Sequence, residues 1–309
     1  MSLMSNYPNG FANGISVRGM PLLSAYPGKV YWVSSVNGSN GNDGTFQKPF
    51  GTLDYAVGRC TANAGDIIVA MPGHVETVIA AAGLDLDVAG ICILGLGAGS
   101  LRPTVNFTTA TSADMDVDAA NITVANLLFT GGIDALAGPI DINAADFSMI
   151  NCETRDVTGQ ATDFIVTDAA ANRLYIDGWV HRGAAAAGAE TAISIVGGDG
   201  ATVKNFWIDG NFGTAAIENV SAAATNLTIC GDRPSYIRTR NAADVAITLV
   251  ATATGNVGPN LYIRLQDNAA NVTEALVGAD MQFYAPLGIV NADGEKALDW
   301  NGTATVDES

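Results

Sequence analysis

From Asp66 onward, apolar residues recur in pairs separated by one other residue, which is typical of short strands with one face turned inward. The first members of these pairs are 24, 31, 25, 27, 32, 21 and 34 residues apart, and a recurrence in this range indicates a solenoid. The pattern therefore predicts an all-β fold, a right-handed single-stranded parallel β-helix. The pairs are Ile67/Val69, Ile91/Ile93, Ile122/Val124, Phe147/Met149, Leu174/Ile176, Phe206/Ile208, Leu227/Ile229 and Leu261/Ile263.

The segments between strands repeat as well. Ala-Ala-Asn at 119–121, Ala-Ala-Asp at 144–146 and Ala-Ala-Ala-Asn-Arg at 169–173 each precede a strand. Small residues, Asn and Asp accept left-handed or bent backbone without crowding the neighbouring coil. A βαβ fold needs a helical stripe of about 10–15 residues between strands, and no such stripe follows residue 60. Tight hairpin signals typical of antiparallel sandwiches are scarce.

The two ends of the chain depart from the repeat. Residues 1–29 show no sustained period and are predicted to form an extended arm on the body or on a neighbouring subunit. Thr52 is a good helix N-cap, and Leu53, Ala56 and Val57 form an apolar stripe after it. This predicts a short capping helix within an N-terminal cap at 30–64, ahead of coils that continue to 265. Residues 266–309 lose the repeat and are predicted to form a C-terminal cap or tail.

The charge balance narrows the classes of partner. The chain carries 31 acidic against 14 basic residues, a net charge of −17. Such a surface repels phosphate backbones and anionic lipid, so we expect neither a nucleic acid nor a membrane partner. No C-x-x-C pair occurs among the four cysteines, which we interpret as buried thiols of a protein assembled in a reducing cytoplasm. We find no signal peptide and no apolar stretch of the ~18 residues that a membrane helix requires.

Acidic residues form the best candidate for a chemical site. Asp114, Asp116 and Asp118 are two residues apart, which places them on one face of a strand, and Asp85 and Asp87 are predicted to stack beside them. This cluster fits either a calcium site or the solvent-facing positions of an alternating strand, and we favour the second interpretation.

Basic residues offer a second candidate. His74 and His181 are interpreted as hydrogen-bonded structural histidines rather than catalytic bases. Arg238 and Arg240 point the same way with Arg233 nearby, which fits a bidentate carboxylate clamp or, as we favour, structural salt bridges. We therefore expect no catalytic, metal or cofactor site, and no enzyme.

The start of the solenoid resembles a known family. Tyr-Trp-Val at 31–33, Asn-Gly-Ser at 37–39, Asn-Asp-Gly-Thr at 42–45, Pro-Phe at 49–50 and Thr-Leu at 52–53 resemble the entry of pectate-lyase-like parallel β-helix proteins. Enzymes and non-enzymes share this entry. The hydrolase signatures Asn-Thr-Asp, Asp-Asp and Arg-Ile-Lys and the lyase signature Arg-x-Pro-x-x-Arg are absent, so no catalytic residue is carried over from the family.

The N-terminal arm carries a narrower resemblance. Residues 7–14, 18–22 and 27–30, with an internal match at 95–103, resemble a group of tailed-bacteriophage virion proteins that contain this solenoid. The resemblance implies a structural protein of the virion, most simply a decoration, cement or vertex protein on the capsid exterior. It also implies the major capsid protein or other virion proteins as partners. The arm residues expected to contact such a partner are Tyr7, Phe11, Arg18, Met20 and Leu22.

Two other functions remain open. The chain fits a tail spike or fibre module that binds host glycan, for which Trp179, Trp207 and Tyr236 are the candidate exposed aromatic residues. It also fits a free polysaccharide lyase or hydrolase, although the missing signatures disfavour this. We expect a homotrimer on the virion, with intersubunit burial adding to the stability of the stacked strands.

Overall fold

The computed structural model describes residues 15–17, 20–22, 28–157, 159, 161–219, 224–240, 245–265, 276–277, 281–284, 286–290 and 296–297. These residues form an all-β, right-handed parallel solenoid, which confirms the predicted fold class. Each complete coil contributes one strand to each of three sheets, and the apolar side chains fill the space between the sheets.

The first sheet joins ten described parallel strands. Its strands are Val30–Val33, Ile67–Ala70, Cys92–Gly95, Thr123–Ala125, Ser148–Ile150, Tyr175–Asp177, Thr202–Lys204, Leu227–Ile229, Gly255–Val257 and Met281–Phe283.

The second sheet follows the first after a corner of two to eight residues in each coil that contributes a strand to both. Its described strands are Val75–Val78, Thr104–Phe107, Leu128–Gly131, Glu153–Arg155, Val180–Arg182, Trp207–Gly210, Ser235–Thr239, Leu261–Leu265 and Leu287–Val290, with Lys296–Ala297 antiparallel at the end.

The third sheet returns the chain to the first. Its described strands are Leu84–Asp85, Met115–Val117, Ile140–Ile142, Asp163–Thr167, Thr191–Ile195, Ala215–Asn219, Val245–Leu249 and Leu276–Val277. Gly198–Asp199 pairs with Ala224–Thr225 in a small separate sheet, and a 3₁₀ helix spans Gly99–Leu101.

The register of the first sheet corrects part of the predicted repeat. The inward positions Ile93, Val124, Met149, Ile176, Val203, Ile229 and Val257 are aligned, at separations of 31, 25, 27, 27, 26 and 28 residues. The predicted pairs Phe206/Ile208 and Leu261/Ile263 belong to the second sheet instead. The predicted spacings between pairs varied widely because pairs from the first and the second sheet were counted as one series. In the first coil the fully buried positions are Ile68 and Ala70, one residue later than predicted for Ile67 and Val69.

Two columns of left-handed residues turn the chain at the corners of the first sheet. The column before its strands has φ of 53–75° at Gly65, Gly90, Asn121, Asp146, Arg173, Gly200 and Asn226. The column after its strands has φ of 51–87° at Asn126, Asn151, Gly178, Asn205, Cys230 and Gly258. Asn and Gly tolerate this conformation, so the predicted corners at 119–121 and 144–146 are confirmed. At the third predicted corner it is Arg173, not Asn172, that is left-handed.

A short helix at Leu53–Val57 lies beside the first coil. The Thr52 hydroxyl accepts the N–H of Tyr55 at 3.3 Å, as expected of an N-cap. Leu53, Ala56 and Val57 are buried, and the helix packs against strands of both the first and the third sheet. The role of this helix in capping the solenoid stays a prediction.

The arm and the tail lie largely outside the described residues. Ile15–Val17 pairs antiparallel with Met20–Leu22, so part of the arm is a short hairpin rather than an extended segment. Tyr7, Phe11 and Arg18 are outside the described residues, and partner binding by all five arm residues stays a prediction. The proposed domain boundaries also stay predictions.

The cysteines are only partly as expected. Cys152 and Cys230 are buried, whereas Cys60 and Cys92 are half-buried, and all four thiols are free. Burial raises the pKa of Cys60 to about 12 and that of Cys152 to about 11, so both stay protonated thiols. Among the described residues, no helix has the length and apolar character needed to cross a membrane.

Candidate functional site

Three aromatic side chains are stacked on the outer face of the second sheet. Side chains alternate along each strand, so Trp207 points outward while Ile208 is buried. Trp207, Tyr236 and Tyr262 are aligned in consecutive coils and remain 46%, 40% and 40% exposed. Their ring centroids are 5.1 Å and 5.5 Å apart. We call these three residues the aromatic column.

A second column of outward residues runs beside the aromatic column, two positions further along each strand. Its members, from coil to coil, are Arg155, Arg182, Asp209, Arg238 and Arg264. We call these five residues the arginine column. The two columns lie side by side because residues i and i+2 of a strand share a face.

Asp209 binds two arginines at once. Arg238 Nε donates to Asp209 Oδ1 at 2.8 Å, and Arg238 Nη2 donates to Oδ2. Arg240, just after the strand, donates through Nε at 2.7 Å and through Nη2 at 2.6 Å. Burial raises the pKa of Asp209, but the hydrogen bonds and charges of the two arginines outweigh it and lower that pKa to about 2. The predicted alignment of Arg238 and Arg240 is confirmed, and the carboxylate they clamp belongs to this chain.

Glu153 organises the arginines above the aromatic column. Its carboxylate accepts from Arg102 at 3.1 Å, from Arg155 at 2.8 Å and from Arg182 at 3.0 Å. Burial raises the pKa of Glu153, but the bonds and charges of Arg155 and Arg182 outweigh it, and the net effect lowers that pKa. Both carboxylates of this face are therefore ionised hydrogen-bond acceptors that hold arginine side chains in fixed positions.

The predicted acidic cluster lies on the third sheet. Asp85, Asp116 and Asp141 are aligned in consecutive coils, which confirms the predicted stacking of Asp85 beside Asp116. Asn143 Nδ2 donates to Asp116 Oδ1 at 2.7 Å and to Asp118 Oδ1 at 3.3 Å. Burial and then the charge of Asp118 raise the pKa of Asp116 to about 6. Over the described ranges, no three His, Cys, Asp or Glu side chains are arranged to hold a metal ion.

Both histidines are buried, and each is hydrogen-bonded through Nδ1. His74 Nδ1 accepts the N–H of Ser35 at 2.9 Å, so its Nε2 carries the proton and donates to Glu76 at 3.0 Å. Glu76 in turn accepts the N–H of Leu53 at 2.7 Å, which ties the helix to the second sheet. The predicted hydrogen bonding of His74 is confirmed.

His181 is enclosed by aromatic rings. Its Nδ1 is 2.8 Å from Thr154 Oγ1, and Phe164, Trp179 and Phe212 surround the imidazole with ring centroids 5.6–5.9 Å away. Burial lowers the pKa of His181 to about 3, so the ring is neutral near neutral pH. The predicted hydrogen bonding of His181 is confirmed at Nδ1, whereas its buried Nε2 has no hydrogen-bond partner among the described residues.

The sequence predicted only part of the outer face. Trp179 was expected to be exposed but is fully buried, and its Nε1 donates to Thr154 Oγ1 at 2.9 Å. Trp207 and Tyr236 are exposed as predicted. Tyr262, Glu153 and the arginines outside 233–240 were missed. A signal for Tyr262 was present, because Tyr-Ile-Arg occurs at both 236–238 and 262–264.

No protein-family model and no curated protein matches this chain. Two kinds of solved structure are similar to it. One is a crystal structure of the GH136 lacto-N-biosidase from Eubacterium ramulus, with 14% sequence identity and a TM-score of 0.47. The match covers 83% of this chain and 60% of the lacto-N-biosidase chain. A rhamnogalacturonan lyase has 14% identity and a TM-score of 0.43, covering 82% of this chain and 80% of its own.

These comparisons correct one expectation. The prediction that the chain is not an enzyme is contradicted, because the similar solved structures are a lacto-N-biosidase and a rhamnogalacturonan lyase. At 14% identity the likeness concerns the parallel β-helix fold and assigns no activity to this chain. Neither comparison bears on a virion origin, a capsid partner or a trimer, which stay predictions.

Proposed function

We propose that this chain binds a carbohydrate polymer along the outer face of its second sheet. The observation that carries the proposal is the aromatic column of Trp207, Tyr236 and Tyr262, exposed in three consecutive coils beside fixed arginines. This corresponds to the glycan-binding alternative considered from the sequence, of which a tail spike or fibre module is one example.

The aromatic column supplies the apolar part of such a surface. Tyr and Trp combine an apolar ring with a polar tip, which suits ligands that have both C–H and hydroxyl groups. A run of exposed aromatic side chains on an otherwise polar surface marks a site of interaction. Because the aromatic column is continuous over three coils, a polymeric ligand can contact all three rings along its length.

The arginine column supplies the polar part. Guanidinium groups present several N–H donors in a rigid plane, and those of Arg155 and Arg182 keep side-chain exposures of 48% and 64% while bound to Glu153. Their positions are set before a ligand arrives, so little side-chain entropy is lost on binding.

The direct test of carbohydrate binding is a glycan array probed with the full-length chain. Retention of at least one polysaccharide is expected, and retention of none would refute the proposal.

Cleavage is a second candidate function, located on the third sheet. A carboxyl with a pKa of about 6 beside further carboxylates, as at Asp116, is suited to general-acid chemistry on a glycosidic bond. Release of reducing ends from a retained polysaccharide, abolished by Asp116→Asn and unaffected by Asp232→Asn, would support this candidate. No release from any retained polysaccharide would refute it.

A further inference from the structure

The outer face of the second sheet has a charge opposite to that of the whole chain. Among the residues that the structure describes, six arginines lie on it or at its margin, against the two carboxylates of Glu153 and Asp209. The complete chain has 14 basic and 31 acidic residues, so this one face holds six of its 14 bases. The arginines are Arg102, Arg155, Arg182, Arg238, Arg240 and Arg264.

Within the described residues, the ion pairs of this face involve more arginines than carboxylates, which leaves a surplus of positive charge. Glu153 is shared by three arginines and Asp209 by two. One carboxylate carries a single negative charge, so it balances only one of the arginines that it contacts. Arg264 is the last member of the arginine column and is exposed. Within the described part of the chain, no carboxylate lies within ion-pair distance of Arg264.

We infer that the carbohydrate bound by this face is an acidic polysaccharide, whose repeated anionic groups are bound by the arginine column while its sugar rings lie on the aromatic column. This inference rests on the proposed function. Planar guanidinium groups bind carboxylate and sulfate oxygens in pairs, and the spacing of arginines from coil to coil suits anionic groups that recur along a polymer. The negative charge elsewhere on the chain repels a polyanion from its other surfaces, which directs the ligand to this face.

Binding of the full-length chain to three soluble polysaccharides tests the inference by isothermal titration calorimetry. Alginate carries carboxylates, dextran sulfate carries sulfates, and dextran is neutral. We expect binding to alginate, dextran sulfate or both that weakens as salt is raised, and at least tenfold weaker binding to dextran. Arg264→Glu should weaken binding to the acidic polymer by about fivefold or more, whereas Arg59→Glu, an exposed arginine near the helix, should change it little.

The outcomes separate the inference from the proposed function. Binding to dextran as tight as to both acidic polymers would overturn the inference and leave carbohydrate binding intact. Binding to none of these polymers, together with a blank glycan array, would overturn both. Duplex DNA bound as tightly as the acidic polysaccharides would overturn the inference too, because the face would then recognise polyanions without regard to sugar. A preference for alginate or for dextran sulfate would assign the anionic group.

Discussion

Arg240 and Asp209 form a two-point ion pair across neighbouring coils, with Nε 2.7 Å from Oδ1 and Nη2 2.6 Å from Oδ2. The two residues are 31 positions apart in the sequence, so the pair links one coil to the next at the edge of the proposed binding face. Because Arg238 binds the same carboxylate, one partly buried carboxylate holds two arginines. The stability of this part of the solenoid therefore depends on the charge of Asp209.

The substitution Asp209→Asn should lower the free energy of unfolding by about 2 kcal/mol near neutral pH, because two arginines lose their counter-ion. The pKa of Asp209 is lowered from 3.8 to about 2, so its stabilising contribution is complete above about pH 4 and is lost as the pH falls towards 2. Urea denaturation of both proteins across this range measures the effect. A difference that stays constant down to about pH 2 would contradict the account.

Asp116, aligned with Asp85 and Asp141 on the third sheet, should behave in the opposite way. The pKa of Asp116 is raised from 3.8 to about 6, so its ionisation costs stability as the pH rises through this interval. After a discount for partial exposure, Asp116→Asn should stabilise the protein by about 1 kcal/mol near pH 8 and by nothing below about pH 4. The exposed Asp232→Asn is the matched control. Equal effects of the two substitutions near pH 8 would contradict the raised pKa of Asp116.

His181 should make the solenoid sensitive to mild acid. Its pKa falls from 6.5 in the unfolded chain to about 3 in the buried site, so stability is complete above pH 6.5 and declines as the pH falls towards 3. The slope is about 1.4 kcal/mol per pH unit. In His181→Phe this slope should disappear, while Trp179 still donates to Thr154. Denaturation curves between about pH 7 and pH 4 give the comparison, and identical slopes in the two proteins would rule out His181 as the source.

Two substitutions at a left-handed corner should differ in their effect on the stability of the fold. Asn126 has a φ of 56°, and its amide donates to the carbonyls of Gly95 and Gly97 at 2.8 Å and 3.0 Å. Asn126→Gly loses the two hydrogen bonds, whereas Asn126→Ala loses them and also places a Cβ in left-handed backbone. We therefore expect the Ala variant to be less stable than the Gly variant by about 1 kcal/mol in urea. Equal stabilities would show that the corner is not constrained.

The fold could be predicted because the alternation of apolar and polar positions is a local property of each strand. Ile122/Val124 and Phe147/Met149 face inward as their pattern indicates. Assignment of a strand to its sheet depends on corner lengths, which the pattern does not encode. For this reason Phe206/Ile208, a pair like the others in sequence, was placed in the wrong sheet.

The candidate site was harder to predict because it is assembled from different coils. Glu153 and Arg182 are 29 residues apart, and only the register brings their side chains together. Trp179 and Trp207 are both tryptophans near the start of a strand of the second sheet, yet one is buried and the other exposed. That difference follows from which face of the strand each occupies. The repeated Tyr-Ile-Arg was the one sequence signal that reports such a column directly.

The central claim is that the aromatic column binds carbohydrate, and calorimetric titration of Trp207→Ala tests it most directly. The titrant is the polysaccharide that the wild-type chain retains most strongly on the array. The account predicts an affinity about tenfold weaker, a similar loss for Tyr262→Ala, and an unchanged affinity for Phe46→Ala, an exposed aromatic residue away from the column. Circular dichroism confirms that each variant is folded. Wild-type affinity in folded Trp207→Ala and Tyr262→Ala would contradict the account and move the binding site elsewhere on the solenoid.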